Sequence, residues 1–183
     1  MIRLARTFGI ALAVLAIMGC NARTDKTGGG GVLLSIQDFG TLPLIISASA
    51  GYAAGAEQID SITVQSVVKN PDQGTSDLMK VELDSYQVTY TREDTGSRVP
   101  PRLVEYIFGS VDPGGSYVLQ NGPYMRLDQL NNQPLKDLRE LGIDPETGSQ
   151  VIRLKVGIQF FGRTISGQSV QSNIAYFSLE VTP

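Results

Sequence analysis

Between Val151 and Phe161 the chain alternates without a break. Ile152, Leu154, Val156, Ile158 and Phe160 share one parity, and Arg153, Lys155 and Gln159 take the other. A period of two marks a strand with one dry face and one wet face. Five large apolar side chains on one strand face need a second apolar layer against them, so the pattern demands packed layers rather than a lone sheet.

Other stretches repeat the signal. Val32 to Ile36 is a short apolar run that predicts a first strand. Ile62, Val64, Ser66 and Val68 share one parity, and Asn70-Pro71-Asp72-Gln73-Gly74 supplies turn chemistry after them. From Leu78 to Thr91 the apolar parity changes, from Met79, Val81 and Leu83 to Tyr86, Val88 and Tyr90. One extra residue at Asp84-Ser85, a β-bulge, would return both sets to the same face. Leu103 to Val111 carries apolar residues on both parities, and Asp112-Pro113-Gly114-Gly115 ends it as a turn. Tyr117 to Leu119 predicts a brief strand before a turn at Asn121-Gly122-Pro123, and Ser169 to Thr182 closes the fold with Ala175, Phe177, Leu179 and Val181 inward.

The helical signal is short. Over residues 134–141, Pro134 precedes Leu135, Leu138 and Leu141, and Gly142 stands where a left-handed cap is wanted. Residues 47–56 are rich in small side chains and fit a loop, a short helix or a bulged strand. The expectation is an all-β fold: an antiparallel immunoglobulin-like β-sandwich of about seven or eight strands with one short helix. The expected core is Val64, Val81, Leu83, Ile152, Leu154, Val156, Ile158, Phe160, Phe177 and Leu179. One passage bears on the sandwich type. Val67-Val68-Lys69-Asn70-Pro71, followed by Leu78, Val81, Leu83, Tyr86, Val88 and Tyr90, is similar to the strand–Asn-Pro–strand passage of water-stress (late-embryogenesis-abundant) domains. That resemblance implies a small immunoglobulin-like sandwich without enzymatic activity.

The N-terminus carries an address. Arg3 and Arg6 precede an apolar run from Phe8 to Met18, which ends in Ile17-Met18-Gly19-Cys20. A basic start, a short apolar stretch and small residues before a cut site make an export signal, and the run is shorter than the roughly 20 residues that span a bilayer. Ile17, Gly19 and Cys20 make the segment resemble a bacterial lipoprotein signal. The resemblance implies cleavage before Cys20, acylation of Cys20 and partition into the membrane. Asn21 is not the aspartate that holds some lipoproteins at the inner membrane, so the outer membrane is the expected address. The domain plan is then 1–19 signal peptide, 20–31 lipidated cysteine and Gly-rich tether, and 32–183 one β-sandwich domain. Eleven flexible residues from Asn21 to Gly31 reach roughly 17–20 Å, so the domain would float just above the bilayer.

Composition narrows the chemistry. Histidine and tryptophan are absent, and Cys20 is the sole cysteine. Histidine-based nucleophile systems and histidine-ligated metals are therefore excluded, and no cofactor is expected. With Cys20 acylated, packing alone must hold the fold. The formal net charge is −3, and removing Arg3 and Arg6 makes it more negative. No basic cluster exists for nucleic acid, so no nucleic acid partner is expected.

Three sets of side chains remain. Glu82, Asp84, Asp94 and Glu105 are the carboxylates from which a hydrolase acting on an envelope glycan would draw an acid–base pair. On a strand, Glu82 and Asp84 sit on the face opposite Val81 and Leu83. Asp112, Asp144 and Glu146 are oxygen ligands of the type calcium takes, but an EF-hand spacing is lacking and ordinary turns account for them. No metal site is expected. Tyr117, Tyr124 and Met125 lie in or beside Gly/Pro-rich connections and form a candidate binding surface, unless they fold back to cap the core. The function expected is a membrane-tethered, non-enzymatic binding or adaptor module, or a structural one, with an envelope protein as partner. The glycan hydrolase is the alternative.

Mass spectrometry of protein purified from its native envelope should find a chain starting at acylated Cys20. Cys20→Ser should leave the protein soluble or uncleaved. An unmodified N-terminus upstream of residue 20 would exclude lipidation.

Overall fold

The computed structural model describes residues 31–42 and 45–183; the expected signal segment and most of the expected tether lie outside them. The described chain is mostly β. In order its strands are β1 (Val32–Phe39), β2 (Ile45–Ser47), β3 (Ala56–Val68), β4 (Val81–Arg92), β5 (Leu103–Val111), β6 (Ser116–Arg126), β7 (Ile152–Thr164), β8 (Ser169–Gln171) and β9 (Ala175–Thr182). Two sheets face each other. One runs β1-β3-β6 and the other β2-β9-β7-β4-β5, with β8 added to β7. All pairings are antiparallel except β2 with β9. The ten expected core residues are all buried between the sheets.

The bulge expected in β4 is present. Pairing with both β5 and β7 slips between Leu83 and Ser85, so Val81, Leu83, Tyr86, Val88 and Tyr90 all point inward. Opposite Leu83, β7 carries Gly162, where a Cβ would stand 2.3 Å from the Glu82 carbonyl oxygen. Only glycine allows the two backbones to approach so closely. Residues 162–164 continue β7 beyond the alternating run, beside Val81, Glu82 and Leu83.

Strand β6 departs most from expectation. The Asn121-Gly122-Pro123 segment is not a turn but the middle of an 11-residue strand. A second bulge lies there: Glu57 pairs with Met125 and Gln58 with Pro123, leaving Tyr124 as the extra residue. Consecutive residues at a bulge can share a side, which is why Tyr124 and Met125 are both fully buried. Two tyrosines of β4 span the sandwich to this bulge. The Tyr86 hydroxyl donates to the Pro123 carbonyl at 2.7 Å, and the Tyr90 hydroxyl donates to the Tyr124 carbonyl. Rings fill the space around them. Tyr86 stacks on Phe160 at 5.2 Å, and Tyr124 meets Phe177 edge-on at 5.6 Å.

Helices cap one end. α1 (Ala48–Ala54) starts at Ser47, whose hydroxyl accepts from the Ala50 amide, and stops at left-handed Gly55. This settles the small-residue stretch as a helix. α2 (Leu127–Leu130) follows β6 directly, and α3 (Leu135–Leu141) is the helix expected at 134–141. Leu135 and Leu138 are buried but Leu141 is exposed, because α3 ends at Gly142 before Leu141 can turn back to the core. Arg139 of α3 lies 3.8 Å above the Tyr52 ring of α1.

Phe160 is fully buried at the centre of β7. Phe160→Ala should lower unfolding free energy by about 3–5 kcal/mol, a large part of the roughly 5–15 kcal/mol a domain possesses. Urea unfolding followed by circular dichroism would measure the loss, and a change under about 1 kcal/mol would contradict this core.

Candidate functional site

The residues singled out in sequence do not form one site. Cys20 lies outside the described residues. Tyr117 of β6 is partly buried, its ring resting on Gly109 of β5, where a Cβ would come within 2.5 Å. Tyr124 and Met125 have no exposed surface. The expected loop-borne aromatic surface is therefore corrected: these three side chains face the interior because β6 is a bulged strand. The Tyr124 hydroxyl finds no hydrogen-bond partner among the described residues, and burial pushes it well above the usual phenol range, with Glu57 adding to the effect.

The carboxylates also separate. Glu82 and Asp84 are exposed on the outer face of β4, and Asp84 accepts from the Ser85 hydroxyl at 2.6 Å. Glu105 sits beside inward-facing Tyr86 and is held by Arg126, whose Nη2 donates at 2.8 Å. It belongs to the opposite face of the sheet from Glu82, so these two cannot flank one bond. Asp94 is committed elsewhere.

That elsewhere is the densest charge cluster in the described chain. Arg92, at the end of β4, has a buried side chain. Its Nε donates to Asp94 at 2.6 Å and its Nη2 to Asp144 at 2.7 Å. Asp144 also accepts from the Glu146 amide and the Thr147 hydroxyl, and Asp94 from the amides of Gly96 and Arg153. Glu146 takes the Ser97 hydroxyl and the Arg98 amide at 3.0 Å. Burial would raise Asp94 and Asp144, but bonds from Arg92 and backbone amides hold both below the usual range. The Ser97 and Arg98 bonds bring Glu146 down to about 2. Asp144 and Glu146 thus act as counter-ions that tie the β4–β5 connection to the α3–β7 connection. Among the described residues, no group of three or more acidic or sulfur ligands forms a metal cage.

A different surface exposes large apolar side chains. On β5 the outward parity is Val104, Tyr106 and Phe108, and Tyr106 is 81% and Phe108 96% exposed. They border a hollow of about 530 Å³ lined also by Glu82, Leu83, Asp84, Gly109 and Ser110. Ser85 and Phe161 lie in register beside Tyr106 and extend the same face. β5 is the last strand of its sheet. Sequence reasoning registered both parities of β5 without deciding between them. The deciding signal was Gly109, which leaves room for Tyr117 inside and so sends the larger aromatics out.

The class defined by this architecture is a two-sheet β-sandwich with a helical cap. No known family matches the chain, and no curated protein does. Among solved structures, the sporulation control protein Spo0M from Bacillus subtilis is similar at 14% identity, over 85% of this chain and 50% of that one. The TM-score is 0.25, so the likeness carries no argument, and the chain spans half of that protein's length.

The Arg92 cluster sets an acid limit. Asp94, Asp144 and Glu146 have folded-state values below their ordinary 3.8 and 4.5. A depressed carboxylate contributes stability above its unfolded value and loses it as pH falls through the folded one. Stability should therefore decline between about pH 4.5 and pH 2, the span of the Glu146 shift. Arg92→Gln should flatten that decline and lower stability at pH 7. Thermal melts across this range would test it, and an unchanged acid slope would remove the cluster from the account.

Proposed function

We propose that the chain is an envelope lipoprotein, anchored by acyl chains on Cys20 and presenting a non-enzymatic binding module above the bilayer, at the outer membrane. The observation that carries the binding reading is the pair of aromatic rings, Tyr106 and Phe108, held in solvent on a rigid sheet. Large exposed apolar side chains clustered in one patch mark contact surfaces, and Tyr and Phe are favoured at protein contacts. The partner is an envelope protein that covers the outward face of β5. Cys20 as the sole cysteine, placed after Ile17 and Gly19, supports the anchor.

The sandwich belongs, in this reading, to the immunoglobulin-like type. The strand order supports it: β1-β3-β6 correspond to strands A, B and E, and β9-β7-β4-β5 to G, F, C and C′. The Asn70-Pro71 turn opens the 3₁₀ segment Pro71–Gln73 between β3 and β4, which agrees with the resemblance to water-stress domains.

Replacing Phe108 by photoreactive benzoylphenylalanine in intact cells should give one discrete crosslinked product. The same group at Ser178, exposed on the same outer face but three strands away on β9, should give none. Tyr106→Ala should cut the yield at least fivefold. Equal products from both positions, or purified protein that cleaves envelope glycan and loses this with Glu82→Gln, would overturn the proposal.

A further inference from the structure

We infer that the occupant of the β5 edge is a second copy of this chain, joined strand to strand about a two-fold axis at Tyr106. The inference rests on the binding-module reading and names its partner. β5 pairs only with β4 among the described residues, leaving one long edge of its nine residues open. Free edges are normally blunted with lysine, proline or inward-turned charge. β5 has neither lysine nor proline; it does carry one extra residue against β4 between Tyr106 and Gly109, and it turns Glu105 inward, where Arg126 neutralises the charge. Such an edge is a template for another strand.

The side-chain pattern selects the partner. Along the outward parity runs Arg102, Val104, Tyr106, Phe108 and Ser110. Arg102, exposed just before β5, makes no ion pair among the described residues. At the other end, Ser110 lies in register with Glu82, and Asp84 is one bulge away. Glu82 makes no ion pair either, although Arg163 of β7 stands opposite it. The strip is therefore apolar in the middle, basic at one end and acidic at the other. When the same edge of two copies meets about an axis normal to the sheet, the strands run antiparallel. With the axis at Tyr106, Tyr106 faces its twin, Val104 faces Phe108, and Arg102 faces Ser110. Aromatic and β-branched cross-strand pairs are favourable. The opposing β4 then lies two strand spacings away, about 9.5 Å, so each Arg102 can extend toward the other copy's Glu82 and Asp84. The arrangement is isologous and closes on itself, so it yields a dimer and not a fibre.

Directly paired residues of antiparallel strands have Cα atoms about 4.5–5.5 Å apart, within the range a disulfide needs. Full-length Tyr106→Cys made in its native envelope should run as a dimer on a non-reducing gel. It should give at least tenfold more dimer than Ser178→Cys, and the unsubstituted chain should give none. Adding Arg102→Glu should remove most of the dimer, and further adding Glu82→Arg should restore it. The benzoylphenylalanine product at Phe108, which needs no oxidation, should contain this chain alone at twice its mass. A monomeric Tyr106→Cys with a Phe108 product containing a different protein would overturn the second copy and leave the binding module standing. No product from either probe would overturn both.

Discussion

Two phenol hydroxyls hold the sheets of this sandwich in register. A bulge in a strand leaves carbonyls that the regular ladder cannot satisfy, and a buried unpaired carbonyl costs about 1–3 kcal/mol. Tyr86 and Tyr90, two turns of the β pleat apart on β4, reach across the core to the carbonyls of Pro123 and Tyr124. They can do so only because the bulge at Asp84 returns β4's later residues to the inside. One irregularity thus orients the donors that satisfy another. Burial holds both phenols far above their ordinary range, so they are protonated donors at neutral pH. The same link fixes how β6 lies over β4, and with it the depth of the groove into which Tyr117 drops against Gly109.

How far the fold was legible follows from where side-chain periodicity survives. In β7 one parity is wholly apolar and the opposite one polar, so the strand and its buried face could be read directly. In β4 the parity changed at one point, and a single inserted residue explained it. β6 defeated the reading because Asn121, Gly122 and Pro123 have the chemistry of a turn, yet they sit mid-strand, with Asn121 at φ 51°. Pairing with β3 on one side and tyrosine donors on the other override that local preference. Neither is visible in nearby sequence, since the donors are more than thirty residues away. The helix α1 was similarly open, because alanine and glycine carry no facing signal; the cap at Ser47 and the stop at Gly55 define it only once β2 and β3 are placed.

The contact surface was harder still, for a reason of the same kind. Both parities of β5 are apolar, and size suggests that Tyr106 and Phe108 should be inside. The interior opposite β5 is already taken by Tyr117, and Gly109 is the residue that makes room. Volume, not hydrophobicity, decides which parity faces out. The partner of the acidic turn was hidden for a parallel reason. Asp144 and Glu146 stand in a turn that resembles many acidic turns, but Arg92 arrives from a strand fifty residues earlier and absorbs their charge.

An open edge strand has consequences that depend on where the molecule lives. In free solution at low concentration, a nine-residue open strand bearing Tyr and Phe is a liability, because any exposed strand can pair with it. Confinement changes the balance. If the proposed tether holds neighbouring domains in a thin layer, pairing there is governed by effective concentration, not by bulk dilution. A weak, self-complementary edge can then be occupied at the membrane and open elsewhere. In the proposed arrangement, the Gly28–Gly31 run would let two domains rotate into antiparallel alignment while their proposed anchors stay in one plane. In the proposed arrangement the tether and the open edge, unrelated in sequence, would answer one physical requirement: association that needs the surface to occur.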